Sequence, residues 1–224
     1  MLNLTPETIV LAFIWYVVFL FSTTCHEAAH ALAAKLQGDE TAALGGQVTL
    51  NPVPHIRREP WGMVVVPIVT VIFSKASYLF GWASAPFDPE WQRRYPKKSA
   101  IMAIAGPAAN FTLMFVGVIG IQVGRHYQVF TQESWGTFAA NVLFILFSLN
   151  LLLGIFNLVP APPLDGSTAI MLFMKESTAH RYLTWLREGN FGSMALIGAI
   201  VAFYYGYGYV DQFFTRILIQ TRFF

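Results

Sequence analysis

Apolar residues in this chain come in long blocks separated by short polar breaks. Residues 9–21 read Ile-Val-Leu-Ala-Phe-Ile-Trp-Tyr-Val-Val-Phe-Leu-Phe with no charge among them. Thr5-Pro6-Glu7 before this block is a helix start: a hydroxyl N-cap, proline at the first helical position and an acid in the first turn. No helix breaker follows until Gly38. The pattern predicts one helix of about 30 residues, roughly 45 Å long, against a hydrocarbon thickness of about 30 Å. Residues 47–50 then alternate polar and apolar, which predicts a short strand or hairpin arm. The next apolar stretch, 63–73, is too short to span and is followed by Lys75, so 61–82 is expected to be a re-entrant or half-buried hairpin. A polar loop is expected at 87–98, a span at 100–123, a connecting loop at 125–135 and a second span at 138–158. Pro160, Pro162 and Pro163 cannot continue that helix. A short helix at 167–174, a polar stretch at 180–189 and a last span at 191–210 complete the chain. Tyr204, Tyr205, Tyr207 and Tyr209 near its end suit a membrane interface. The expected fold is an all-α polytopic membrane protein with about five to six transmembrane or re-entrant helices. A small β-hairpin-like element follows the first helix.

Composition agrees. Of 224 residues, 55% are hydrophobic and 12% charged; soluble domains carry about 25% charged residues. Mean hydropathy is +0.53. The single cysteine excludes an internal disulfide framework and a cysteine-rich metal site. A net charge of +2 is too small to suggest nucleic-acid binding. The first block lacks a basic leader and a small-residue cleavage site, so it is expected to be a retained helix. Arg93, Arg94, Lys97 and Lys98 mark their loop as cytoplasmic by the positive-inside rule.

The chemistry sits at the deep end of the first block. His26, Glu27 and His30 form H-E-x-x-H. On a helix the two histidines share a face about one turn apart, and both imidazoles can meet one metal ion. Glu27 is rotated about 100° from His26 and can take a proton from water without ligating. The motif also arises by chance, but two histidines and a carboxylate at the end of such an apolar run are costly unless something pairs with them. Small residues around the motif (Ala28, Ala29, Ala31, Ala33, Ala34) permit close helix approach.

A catalytic zinc takes three protein ligands. Ala33 and Leu36 stand where a metzincin continuation needs glycine and histidine. Among the carboxylates, Asp165 alone sits at an apolar, proline-broken helix junction, whereas Asp39 is expected to be a solvated helix-end residue. Topology favours Asp165. If 61–82 folds back, the basic loop is inside and the two following spans return the chain to the side of His26 and His30. His55, between Pro54 and Ile56, is expected to be a loop histidine or one that lines the site. Asn110, within a span, is a buried polar group that needs partners.

Together, H-E-x-x-H at 26–30, Gly106-Pro107-x-x-Asn110, and Asn157-x-x-Pro160 leading to Leu164-Asp165-Gly166 resemble the site-2 protease family of zinc intramembrane proteases. The segments Gly38-Asp39, Leu50-Asn51-Pro52-x-Pro54-His55 and Gly81-Trp82-Ala83 are similar to its compact subgroup without PDZ or CBS domains. Arg57 and Ser84 depart from that subgroup's usual aspartate and lysine. The resemblance covers residues 8–170 of a single domain, leaving the C-terminal helices at 171–224. It implies one Zn2+ per chain held by His26, His30 and Asp165, with Glu27 as catalytic acid and base. It implies cleavage of transmembrane protein substrates in the lipid bilayer, with Asn157 holding substrate or the oxyanion; Asn110 is the other amide in reach of that role. A multi-pass protein of a prokaryotic plasma membrane, with its active site towards the cytoplasm, is the expected setting. A membrane zinc transporter or non-proteolytic metal-handling protein is the rival, because paired intramembrane histidines and a broken helix also suit ion passage. Glu27 separates the two: hydrolysis needs it, binding does not.

Overall fold

A computed structural model of the chain describes residues 5–130, 134–189 and 192–220. Helix α1 (Pro6–Gln37) has the ends expected of it. The Thr5 side chain accepts from the Thr8 N–H, and Gly38 closes the helix in the left-handed region at φ 99°. The Asp39 N–H then donates to Ala34 O at 2.9 Å, satisfying a carbonyl the helix end would leave open.

Asp39 overturns one expectation. It is buried, at 3% exposure. Its Oδ1 accepts from the N–H and hydroxyl of Thr41, and its Oδ2 accepts from the Asp88 N–H at 2.9 Å. The hairpin arm at 47–50 is a second correction. These residues bend between α2 (Thr41–Leu44) and α3 (Pro52–Arg58), and no strand occurs among the described residues. Local side chains take the backbone groups that a ladder would need. The Thr49 carbonyl accepts from His55 Nε2 at 3.1 Å, the Thr49 hydroxyl accepts from the Asn51 N–H, and Asn51 caps α3 through the Val53 N–H.

The segment that follows doubles back, as expected. A π-helical turn, Trp61–Val65, leads into α4 (Val66–Phe73). Lys75 and Ala76, with φ of 53° and 60°, reverse the chain. It returns without regular structure. On the way the Phe80 N–H donates to Thr70 Oγ1 at 3.0 Å and the Trp82 N–H donates to Gly62 O at 3.0 Å. The bond from Asp88 to Asp39 closes the excursion where it began. Gly81 is necessary here: a Cβ would meet Phe19 of α1 at 2.5 Å and Pro67 at 2.7 Å.

The polar stretch 87–98 holds a helix, α5 (Pro89–Arg94), capped by Asp88. Next comes α6 (Pro96–His126), which runs through Pro107, then α7 (Ser134–Asn157). The connection expected at 125–135 falls partly outside the described residues. Beyond the proline-rich break lie α8 (Asp165–Ala169), a 3-10 turn to Phe173, α9 (Glu176–Glu188) and α10 (Gly192–Phe214) with a π-helical end. The polar stretch expected at 180–189 is therefore mostly helical, and the expected start of the last span, residue 191, lies outside the described residues.

Among the described residues three helices are long and apolar enough to cross a membrane: α1, α6 and residues Trp135–Asn157 of α7. The five to six elements expected included re-entrant ones, so these three answer to only part of that expectation. The helical part of the excursion, Trp61–Phe73, is too short. Helix α6 packs against both α1 and α7. Ile14, Val18 and Phe19 of α1 meet Ile145 and Leu149 of α7 in one buried cluster. Met114, Val118 and Ile121 of α6 meet Phe147 and Leu151 in another. Outward-facing Phe13, Val17, Phe115 and Ile119 stay exposed, as expected of a lipid-facing surface.

Candidate metal centre

His26 and His30 lie one turn apart on α1, and both are buried at 7% exposure. The proline-rich break delivers Asp165 to them at the first position of α8. Asp165 Oδ2 lies 3.1 Å from His26 Nε2 and 3.2 Å from His30 Nε2, and the two Nε2 atoms are 2.9 Å apart.

The outer nitrogens decide what this triangle is. His30 Nδ1 donates to the Met102 carbonyl of α6 at 2.8 Å. A carbonyl only accepts, so Nδ1 carries the proton and Nε2 presents a lone pair. His26 Nδ1 lies 2.5 Å from Asn110 Oδ1, also on α6. Asp165 Oδ2 is buried without a hydrogen-bond donor. With both rings neutral, three lone pairs therefore face one another with no proton between them. Such an arrangement is repulsive unless a cation sits among them. Tetrahedral zinc with ligands at about 2.0–2.1 Å sets donor atoms roughly 3.3–3.4 Å apart, so the donor set fits that ion in type and number and needs only a slight widening from 2.9–3.2 Å. Among the described residues this is the group of three placed to hold a metal.

Gly106 completes the cradle. A Cβ there would fall onto Nε2 of both histidines. The next residue, Pro107, has no N–H to give the carbonyl of Ala103. Glycine and proline thus let α6 approach the site closely, and the nearby Met102 carbonyl holds His30.

Glu27 is buried at 5% exposure, and no side chain among the described residues hydrogen-bonds its carboxylate. Asn110 occupies a different place from the one considered for it. It is fully buried behind His26, its oxygen towards the imidazole and its amide donating to Asn150 Oδ1 at 2.9 Å. It faces the outer nitrogen of His26, away from the metal edge. Asn157, half-buried at the end of α7, donates one N–H to Leu153 O at 3.0 Å. His55 lies in α3 rather than a loop. It is buried on Thr49 and outside the His26–His30–Asp165 group. The Met102 carbonyl was not legible in the sequence, because any residue supplies one. Gly106 was, through its place in Gly-Pro-x-x-Asn.

The model of peptidase family M50 matches residues 116–187, a stretch that contains Asn157 and Asp165. The chain is 32% identical over 151 residues to "Putative zinc metalloprotease YwhC" of Bacillus subtilis (strain 168), covering 67% of this chain and 64% of that protein. It is 26% identical over 152 residues to "Putative zinc metalloprotease Rip2" of Mycolicibacterium smegmatis, covering 68% of this chain and 54% of that one. The chain belongs to peptidase family M50. It spans under two thirds of the length of these two relatives. No solved structure matches it. The family-model match begins within α6, so the H-E-x-x-H of this M50 chain enters through its own geometry with Asp165.

Proposed function

We propose that this M50 protein is a zinc-dependent endopeptidase that hydrolyses peptide bonds in or near the transmembrane segments of membrane-anchored proteins. The observation that carries the reading is the convergence of His26 Nε2, His30 Nε2 and Asp165 Oδ2 beside the buried carboxylate of Glu27. His26, His30 and Asp165 hold the ion. Zinc, when bound, supplies Lewis-acid polarisation of a peptide carbonyl and acidifies water towards neutral pH. Glu27 takes the proton from the attacking water and returns it to the leaving amine. Asn157 spends one amide N–H on Leu153 and keeps a second for the developing oxyanion. The site lies within an apolar helix, His26 roughly 30 Å along α1, so the peptide bond it meets belongs to a membrane-embedded or juxtamembrane segment.

The cytoplasmic orientation rests on charge. Lys98 Nζ donates to Gln37 O at 3.1 Å, and Trp91 Nε1 lies 3.4 Å from the same oxygen. The basic stretch 93–98 therefore stands at the C-terminal end of α1, the end His26 and His30 are nearer. Positive charge favours the cytoplasmic side. In a prokaryotic plasma membrane this opens the site to the cytoplasm.

A buried carboxylate, Glu27, beside the three metal-binding side chains favours hydrolysis over metal passage, because binding alone does not need it. Glu27→Gln is expected to bind zinc at one equivalent and to lose about 10²–10⁴-fold in cleavage of a model membrane substrate. Cleavage at the wild-type rate by that variant would sink the mechanism. Zinc flux in vesicles that disappears with Asp165 but survives Glu27→Gln would favour transport instead.

A further inference from the structure

The two histidines are oriented by unlike partners. His30 leans on a backbone carbonyl, which cannot present anything but an acceptor. His26 leans on the Asn110 side-chain amide, which could present either its oxygen or its NH2. If the NH2 faced His26, Nδ1 would have to accept, the proton would move to Nε2, and the metal edge would be blocked. Something must decide which way Asn110 points.

The decision comes from α7. Asn150 Nδ2 lies 2.8 Å from the Leu146 carbonyl and 2.8 Å from Ser22 Oγ. Because the Leu146 carbonyl only accepts, the NH2 of Asn150 faces it. The Asn150 oxygen therefore faces Asn110 and accepts from its NH2 at 2.9 Å. The Asn110 oxygen is then left to accept from His26 Nδ1–H. Ser22, Asn110 and Asn150 are each fully buried, so no water reorients them. Ser22 and His26 are one turn apart on α1, which closes the circuit across three helices.

We infer that Asn150, acting through Asn110, is a positioning residue that locks His26 in the Nδ1–H tautomer and keeps its Nε2 open to the metal. The inference rests on the metal-site reading above. It makes a distinction that simple packing does not: the direction of each amide matters. Asn150→Leu removes the donor to Leu146 and the acceptor for Asn110, which frees Asn110 to turn. Asp at 110 has two acceptor oxygens and nothing to turn, so Asn110→Asp should repair Asn150→Leu. In an otherwise wild-type chain, Asn110→Asp instead sets a carboxylate against the Asn150 oxygen.

The test uses the full chain in detergent, stripped of metal, with two readouts. Ring ¹⁵N shifts of labelled histidine, with His26 assigned by the loss of its signals in His26→Gln, report the tautomer at a pH where the ring is neutral. Zinc affinity is measured by chelator competition. The metal-free wild type should show Nδ1–H at His26, and an Nε2–H tautomer there overturns the inference without any variant. Asn150→Leu should weaken zinc binding about 10–100-fold, as expected of a lost second-shell partner. Asn110→Asp in that background should recover most of it. Wild-type affinity in Asn150→Leu, or no recovery in the double variant, overturns the inference. If the wild type itself takes up no zinc, the metal-site reading fails, while the tautomer measurement still judges the circuit.

Discussion

The candidate metal centre and the excursion between Asp39 and Asp88 are both places where polar groups sit in an apolar protein, yet they are held differently. At the centre, the groups that orient the histidines are backbone and amide acceptors on α6, a helix packed on both sides. There the two Nε2 atoms and Asp165 Oδ2 face one another at 2.9–3.2 Å, and Asp165 Oδ2 is buried with no hydrogen-bond partner. In the excursion, Asp39, Thr70 and the Gly62 carbonyl each satisfy backbone groups of the same segment, although His55 Nδ1 is buried there without a hydrogen-bond partner. One region is built around an unmet demand, the other mainly around closing its own. Changes at the first should therefore be read in metal binding, and changes at the second in local stability.

The largest effect is expected at Asp165. Asp165→Ala removes one of the three proposed ligands, and its loss in zinc affinity should exceed the roughly 10–100-fold typical of a second-shell partner. Chelator competition on the purified chain measures it. Retention of wild-type affinity would mean that the triangle of lone pairs is not a metal site, and the contrast between the two regions would collapse.

Gly106→Ala comes next and sharpens the same contrast from the side of α6. The added Cβ falls onto both Nε2 atoms. Overpacking of a tight interior costs about 1–3 kcal/mol, and here the displaced atoms are the proposed ligands themselves. Zinc stoichiometry should fall below one per chain while helical content stays near that of wild type. Full stoichiometry would show that α6 can retreat without disturbing the histidines.

Asp39→Ala tests the other region. It strips the acceptor from the Asp88 N–H and from both groups of Thr41. Thr41 and Asp88 are themselves exposed, so the loss is three net hydrogen bonds of about 1 kcal/mol each rather than buried unsatisfied donors. Amide exchange over 39–88 should rise while zinc affinity holds. A parallel loss of zinc would tie the excursion to the site and erase the distinction.

The difference between the regions also explains what the sequence made legible. H-E-x-x-H names its chemistry through spacing on one helix, and the proline-broken junction singled out Asp165 because a carboxylate there has few other uses. The doubling back of 61–82 followed from a short apolar stretch ended by Lys75. Asp39 was misread as solvated because its burial depends on a backbone N–H 49 residues away. Nothing local marks that partner. Residues 47–50 alternate like a strand, but Thr49, Asn51 and His55 satisfy the backbone locally, and that competition is invisible to a polar–apolar pattern. Asn110 was legible as a buried amide needing partners. Its direction was not, since that is set by a carbonyl on another helix.

The smallest effect is expected from Thr70→Val, which keeps shape and removes a hydroxyl. In the wild type that oxygen accepts from the Phe80 N–H at 3.0 Å, and its proton is shared between Pro67 O at 3.1 Å and Phe80 O at 3.3 Å. Thr70 thus links the rising helix α4 to the returning chain at a single point. Phe80 is largely exposed. Where water reaches its N–H, the loss is a net hydrogen bond of about 1 kcal/mol rather than a full desolvation penalty. Amide exchange at residues 78–82 should therefore speed up by about fivefold, the factor that corresponds to that energy. Zinc affinity and the exchange of α1 around His26 should not change. An effect as large as that of Asp39→Ala would place the link in a dry, membrane-buried setting, where an unsatisfied N–H costs several kcal/mol. That result would show the tip of the excursion to be embedded, making it a re-entrant element in fact as well as in outline.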